Sequence, residues 1–130
     1  MIIINNIDYY FESDPNIIGT WNYSDFAITK ESFNPSCQAF TDPYLTALKF
    51  FSDGQMQIKI RNEEFQDTSF SWTRDRILNP TEQTCSIYYI QNIDNEDYLF
   101  FEWKSGDFII KGFEPVYYVF KKVKEEEINQ

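Results

Sequence analysis

From Ile17 onward the chain alternates apolar and polar residues over short runs, and turn residues separate the runs. Residues 17–25 (IIGTWNYSD) place Trp21 and Tyr23 on one side and Thr20, Asn22 and Ser24 on the other. That period of two belongs to a half-buried strand. Residues 44–51 form the next strand, Ser52-Asp53-Gly54 turns it, and residues 55–62 return with Met56, Ile58 and Ile60 on one face and Gln57, Lys59 and Arg61 on the other. An Asp-Gly pair supplies the positive φ that tight hairpins require. Phe70 and Trp72 alternate with Ser69, Ser71 and Thr73 in a strand from about residue 67. Past Asn79-Pro80, residues 83–91 carry Cys85, Ile87 and Tyr89 on one face, and residues 92–96 are a polar turn. Residues 97–104 (DYLFFEWK) are apolar on both faces; Ser105-Gly106 and Glu114-Pro115 then bound strands at 107–112 and 116–123.

The pattern predicts eight strands, starting near residues 17, 44, 55, 67, 83, 97, 107 and 116. Most connections after residue 44 are short, which makes successive strands antiparallel neighbours. A sandwich and a closed barrel both satisfy this order. Closure removes the exposed edges of such aromatic strands, so the expected fold is all-β, an eight-stranded antiparallel up-and-down barrel. Residues 26–43, broken by Pro35 and Pro43, read as a long loop with at most one short helical turn. Residues 1–16 end in the turn signal Ser13-Asp14-Pro15-Asn16 and read as an extension, a short strand or helix packing over one end of the barrel. The barrel proper is expected over 17–123, with a charged tail at 124–130.

Composition agrees with this reading. The 130 residues include 13 Phe, 9 Tyr and 3 Trp, which favour strands and bury large areas. The net charge is −10 and there is no histidine. Phosphate binding needs Lys and Arg partners, so nucleic acid is not an expected partner. The lack of His removes the commonest general base and zinc ligand, and no cofactor is expected. No segment approaches the apolar length that spans a bilayer, and the N-terminus lacks the features of a leader peptide. A soluble, cytoplasmic protein, monomeric or weakly dimeric, is the expectation. Cys37 and Cys85 have no metal or redox spacing and read as free thiols of a reducing compartment; a single bridge is the alternative if the chain is exported.

Gly19-Thr20-Trp21 on the first strand resembles the G-x-W signature of the lipocalin and fatty-acid-binding (calycin) superfamily. The resemblance implies that Trp21 closes the barrel floor and that Lys121 or Lys122, from the last strand, lies across it. The stretch FFEWKSGDFIIKGFEPVYYVFKKV (100–123), with GTWNYSDF (19–26) and ESFNP (31–35), resembles a lipocalin-like domain of Gram-positive bacteria. That domain stands alone or ends membrane metallopeptidases related to β-lactam-sensing antirepressors. The resemblance implies a fold more than an activity. Glu114-Pro115 replaces the family's usual Lys-Pro, and an HExxH motif is excluded by the absence of His.

The candidate site is a pocket inside the barrel, lined by Trp21, Tyr23, Trp72, Arg74, Tyr98, Glu102 and Tyr118. Pockets are mostly apolar with a few placed polar groups, which Tyr and Trp supply. An inward Glu102 needs a partner such as Arg74, Arg76 or a Tyr hydroxyl. A core completely filled by these aromatics is the competing reading. The acid pairs at Glu63-Glu64 and in the tail read as solvated, and no nucleophile motif, phosphate loop or metal spacing occurs. The expected function is therefore non-enzymatic: binding or sensing of a small apolar or amphipathic ligand. The alternative is a protein-interaction or structural barrel with a filled core.

Overall fold

The chain's ten strands are β1 (Ile2–Ile4), β2 (Ile7–Tyr9), β3 (Gly19–Ala27), β4 (Leu45–Phe50), β5 (Gln55–Ile60), β6 (Gln66–Thr73), β7 (Arg76–Asn79), β8 (Thr84–Ile93), β9 (Glu96–Glu102) and β10 (Tyr117–Lys122). The computed structural model describes residues 1–27, 35, 45–102 and 117–124. β1 and β2 form a separate hairpin. The other eight strands form a closed barrel in the order β10-β3-β4-β5-β6-β7-β8-β9, with every neighbouring pair antiparallel. The barrel predicted from the alternation is thus present, and first and last strands pair through Trp21↔Lys122 and Ala27↔Tyr117.

Local backbone chemistry sets the hairpins. Asn5 and Asn6 both have positive φ (50° and 67°), as do Asp94 and Asn95 (53° and 67°). These are the paired left-handed residues of a type I′ turn, for which Asn and Asp are suited. The Asp53-Gly54 turn forms as expected, with Gly54 at φ 92°. A Cβ on Gly54 would stand 2.9 Å from the Phe11 ring, so both the φ and the close approach require glycine.

One strand differs from the sequence expectation. β7 is a four-residue strand (RILN) that the pattern hides. It is too short to show alternation, and it follows a tight two-residue turn at Arg74-Asp75. The strand expected at 107–112 lies outside the described residues, as do most of the loop at 26–43, Cys37 and all but the first residue of the tail. β9 and β10 pair directly, so eight strands close the barrel with β7 counted among them.

The core fills the barrel's interior. Trp21, Leu48, Phe50, Met56, Trp72, Ile77, Tyr88, Leu99, Phe101, Tyr118 and Phe120 form one buried cluster. Each comes from the same face of its strand, as closure demands. A second cluster of Ala27, Tyr98, Phe100 and Val119 uses the opposite face of β3, β9 and β10 and lies on the outer wall.

Candidate functional site

The barrel's two ends are built differently. At the end where β3 begins, residues 10–17 cross the opening and bind to its rim. The Glu12 amide donates to Thr73 Oγ1 at 2.6 Å, and the Arg74 amide donates to the Glu12 carbonyl at 2.9 Å. Arg74 Nε and Nη2 donate to the Ser13 carbonyl at 3.0 and 2.6 Å. The Tyr88 hydroxyl donates to Asp14 Oδ2 at 2.7 Å, and Lys122 Nζ donates to the Asn16 carbonyl at 3.1 Å. Phe11 lies edge-on against Trp72 at 5.2 Å. Crossing backbone is thereby satisfied by side chains where no strand is available to pair with it.

Under this crossing lie two indoles. Trp21 has no exposed surface and donates from Nε1 to the Ile17 carbonyl at 2.8 Å. Trp72 donates to the Phe51 carbonyl, also at 2.8 Å. Buried indoles need such a partner. Lys122 Nζ stands 5.3 Å from the Trp21 ring centroid, and its Cε passes 3.5 Å from the position of a Cβ on Gly19. A lysine stem thus lies across the tryptophan, as the G-x-W resemblance implies, and Lys122 rather than Lys121 takes the role. Lys121 points outward to Glu96 at 3.8 Å. Burial, then the hydrogen bond to Asp14, raises the Tyr88 hydroxyl well above the ordinary tyrosine value.

At the far ends of β3 and β5 the inward side chains are less enclosed. Tyr23, Phe26, Ile60 and Phe70 pack against the core yet keep part of their surface exposed. Phe26 lies 4.5 Å from Tyr118 and 5.4 Å from Tyr23, and Tyr23 meets Tyr118 edge-on at 6.2 Å. The Tyr118 hydroxyl accepts from the Leu45 amide at 3.4 Å. Tyr23, Phe26, Phe70 and Tyr118 thus set aromatic surface beside Ile60 on the inward face.

Of the seven pocket candidates, Trp21, Tyr23, Trp72 and Tyr118 face the interior. The other three do not. Arg74 sits in the β6–β7 turn and is committed to Ser13 and, at 3.8 Å, to Glu12. Tyr98 belongs to the outer-wall cluster, and Glu102 shares its face by alternation. β9 is apolar on both sides, so its sequence leaves the phase open. Its register with β10, Leu99↔Phe120 and Phe101↔Tyr118, turns Leu99 and Phe101 inward instead. Phe26, Ile60 and Phe70 were missing from the candidates. Ile60 and Phe70 lie on faces whose alternation was already visible, and that was the signal available for them.

Two crevices lined by described residues lie mostly on the outer wall. One, of about 180 Å³, runs between the β1–β2 hairpin and the barrel, past Gly54, Ser71 and Leu78. The other, of about 380 Å³, is polar and includes Asn22, Ser24, Glu96, Tyr98 and Lys121. Bonding to Lys124 at 2.8 Å, with Lys121 nearby, holds the Glu96 carboxyl below the usual glutamate range. Among the described residues no group of three His, Cys, Asp or Glu side chains is placed to hold a metal ion. Cys85 is not part of a disulfide.

These features define a class: a closed, eight-stranded antiparallel barrel, plugged at one end by its own N-terminal segment. No family model, curated protein or solved structure matches the chain.

Proposed function

We propose that this barrel is a lipocalin-like binding module that takes up a small apolar or amphipathic ligand at the end opposite its N-terminal plug, and that it acts by binding rather than catalysis. One observation carries the reading. The inward row is sealed around Trp21, Leu48, Phe50 and Trp72 but partly exposed at Tyr23, Phe26, Ile60 and Phe70. Apolar side chains pointing into a barrel and left incompletely covered are the surface a ligand would bury. Burying roughly 100 Å² of apolar surface contributes on the order of 2.5 kcal/mol, so several such contacts suffice for micromolar affinity.

The test uses 1-anilinonaphthalene-8-sulfonate, with decanoate as competitor. Saturable fluorescence enhancement that decanoate reverses is expected, together with its loss in Ile60→Trp, which fills the mouth. The N-terminal hairpin also exposes apolar side chains, so an Ile3→Ser/Tyr10→Ser variant is measured in parallel. Dye binding lost in that variant and kept in Ile60→Trp contradicts the proposal.

A further inference from the structure

Closing the barrel removes every strand edge from its wall, but the N-terminal hairpin retains one. The two-residue turn makes Ile4 and Ile7 a hydrogen-bonded pair, and Ile2 and Tyr9 the next. Between them, the backbone groups of Ile3 and Asp8 point away from the hairpin. On the β1 side they face the barrel: β1 lies against β7, Gln83 Nε2 donates to the Ile3 carbonyl at 3.4 Å, and Gln83 Oε1 accepts from the Asn5 amide at 2.8 Å. On the β2 side, the N–H and C=O of Asp8 have no partner among the described residues. The Cys85 thiol on β8 lies beside the Tyr9 hydroxyl and holds it above its ordinary value.

The side chains around this edge are unusual for a surface. Met1, Ile3, Ile7, Tyr10 and Phe11 are each about half exposed or more, and Tyr89, at 38%, is the one other exposed large hydrophobic among the described residues. An open edge flanked by apolar side chains invites strand addition. Charge decides the occupant. Asp8 is exposed at the centre of the edge, on a chain of net charge −10. A second copy adding its own β2 about a two-fold axis centred there would set Asp8 against its twin, and directly opposed like charges destabilise a strand pair. A basic residue opposite Asp8 stabilises it. We propose that β2 is a docking strand for an extended segment of a partner protein, with Lys or Arg opposite Asp8 and apolar residues on the Ile7 face. The proposal does not depend on what the barrel holds.

The probe is a short synthetic peptide of alternating valine and lysine, with a valine–glutamate peptide as control, titrated into the full chain by amide NMR and fluorescence anisotropy. Expected are shifts centred on residues 6–10, slowed hydrogen exchange of the Asp8 amide, and no binding of the glutamate peptide. Asp8→Asn keeps the amide and loses the charge, and should weaken binding about two- to fivefold. Asp8→Pro also removes the outward amide, and should weaken it more than about tenfold with Trp72 fluorescence unchanged. Decanoate should leave peptide binding as it was. Equal binding to Asp8→Pro, shifts centred away from the hairpin, or no binding at about 1 mM overturns the proposal. So does a chain that dimerises through residues 6–10 in the absence of peptide.

Discussion

The two ends of the barrel are made from the same inward rows and behave as different materials. At one end Trp21, Leu48, Phe50 and Trp72 are buried, and the covering segment is bonded to the rim through Glu12, Ser13, Asp14 and Asn16. Around Phe26, Ile60 and Phe70, described residues of similar character keep exposed surface. Among the described residues, the first end differs in the hydrogen-bonded segment 10–17 that crosses it, since both ends have the apolar alternation of a filled barrel. An end whose crossing backbone is hydrogen-bonded becomes core.

The strongest way to break this contrast is to truncate one residue from each end. Trp21→Ala removes a fully buried indole with its bond to Ile17, and should cost roughly 3–5 kcal/mol. Phe26→Ala removes a partly exposed ring, and should cost no more than about half of that. Urea denaturation of the two variants checks the order; equal losses would show that the ends are equally packed.

Next comes Gly54→Ala. A side chain at φ 92°, aimed at the Phe11 ring, should cost about 1–2 kcal/mol. The same melts in Phe11→Ala should show part of that cost relieved, since the obstructing ring is gone. No relief would mean that the plug does not press on the β4–β5 turn.

A third test sharpens the role of the plug through pH. The Tyr88 hydroxyl titrates higher in the folded chain than its ordinary value of 10, because burial and Asp14 favour the protonated form. A raised folded value means that the native state holds the proton more tightly. The contribution is complete below pH 10 and is lost as pH rises from there towards the folded value. Tyr88→Phe should therefore lower the melting temperature at pH 8, by about 1 kcal/mol of stability, and flatten its decline above pH 10. Tyr9, also raised, contributes a remaining slope of the same sign.

Smallest is Lys122→Met, which keeps most of the stem over Trp21 and removes the charge. Its cost should be about 0.5–1 kcal/mol. Glu96 lies on the outer wall beside Lys121 and Lys124, and its lowered value gives a contribution present above the ordinary glutamate range and lost as pH falls through the folded value. Such exposed pairs contribute little, so Glu96→Gln should leave the melting temperature at pH 7 nearly unchanged.

The sequence was most legible where one face of a strand is clearly apolar. Met56, Ile58 and Ile60, Phe70 and Trp72, and Trp21 and Tyr23 all face inward as their alternation predicts. Gly19-Thr20-Trp21 also pointed correctly to a buried indole under a basic stem. Legibility failed for physical reasons at three places. β9 carries apolar residues on both faces, and only pairing with β10 selects Leu99 and Phe101 over Tyr98 and Glu102. β7 is four residues long, below the length at which a period can be read. Arg74 is expected in the pocket as a partner for an inward Glu102, but it sits in a tight turn and its guanidinium binds Ser13 instead. The N-terminal segment was legible only as an extension. Its positive-φ pair, Asn5-Asn6, marks the hairpin in retrospect.

The proposed uptake of a ligand at one end of the barrel and not the other leaves a residue-level signature. It can be followed by titration with decanoate and NMR of the aromatic and methyl groups and of the Trp21 and Trp72 indole N–H signals. The expected result is saturable shifts at Tyr23, Phe26, Ile60 and Phe70, with the indole signals of Trp21 and Trp72 unmoved. Shifts confined to the two indoles or to the N-terminal hairpin, or no saturable shift at all, would contradict it.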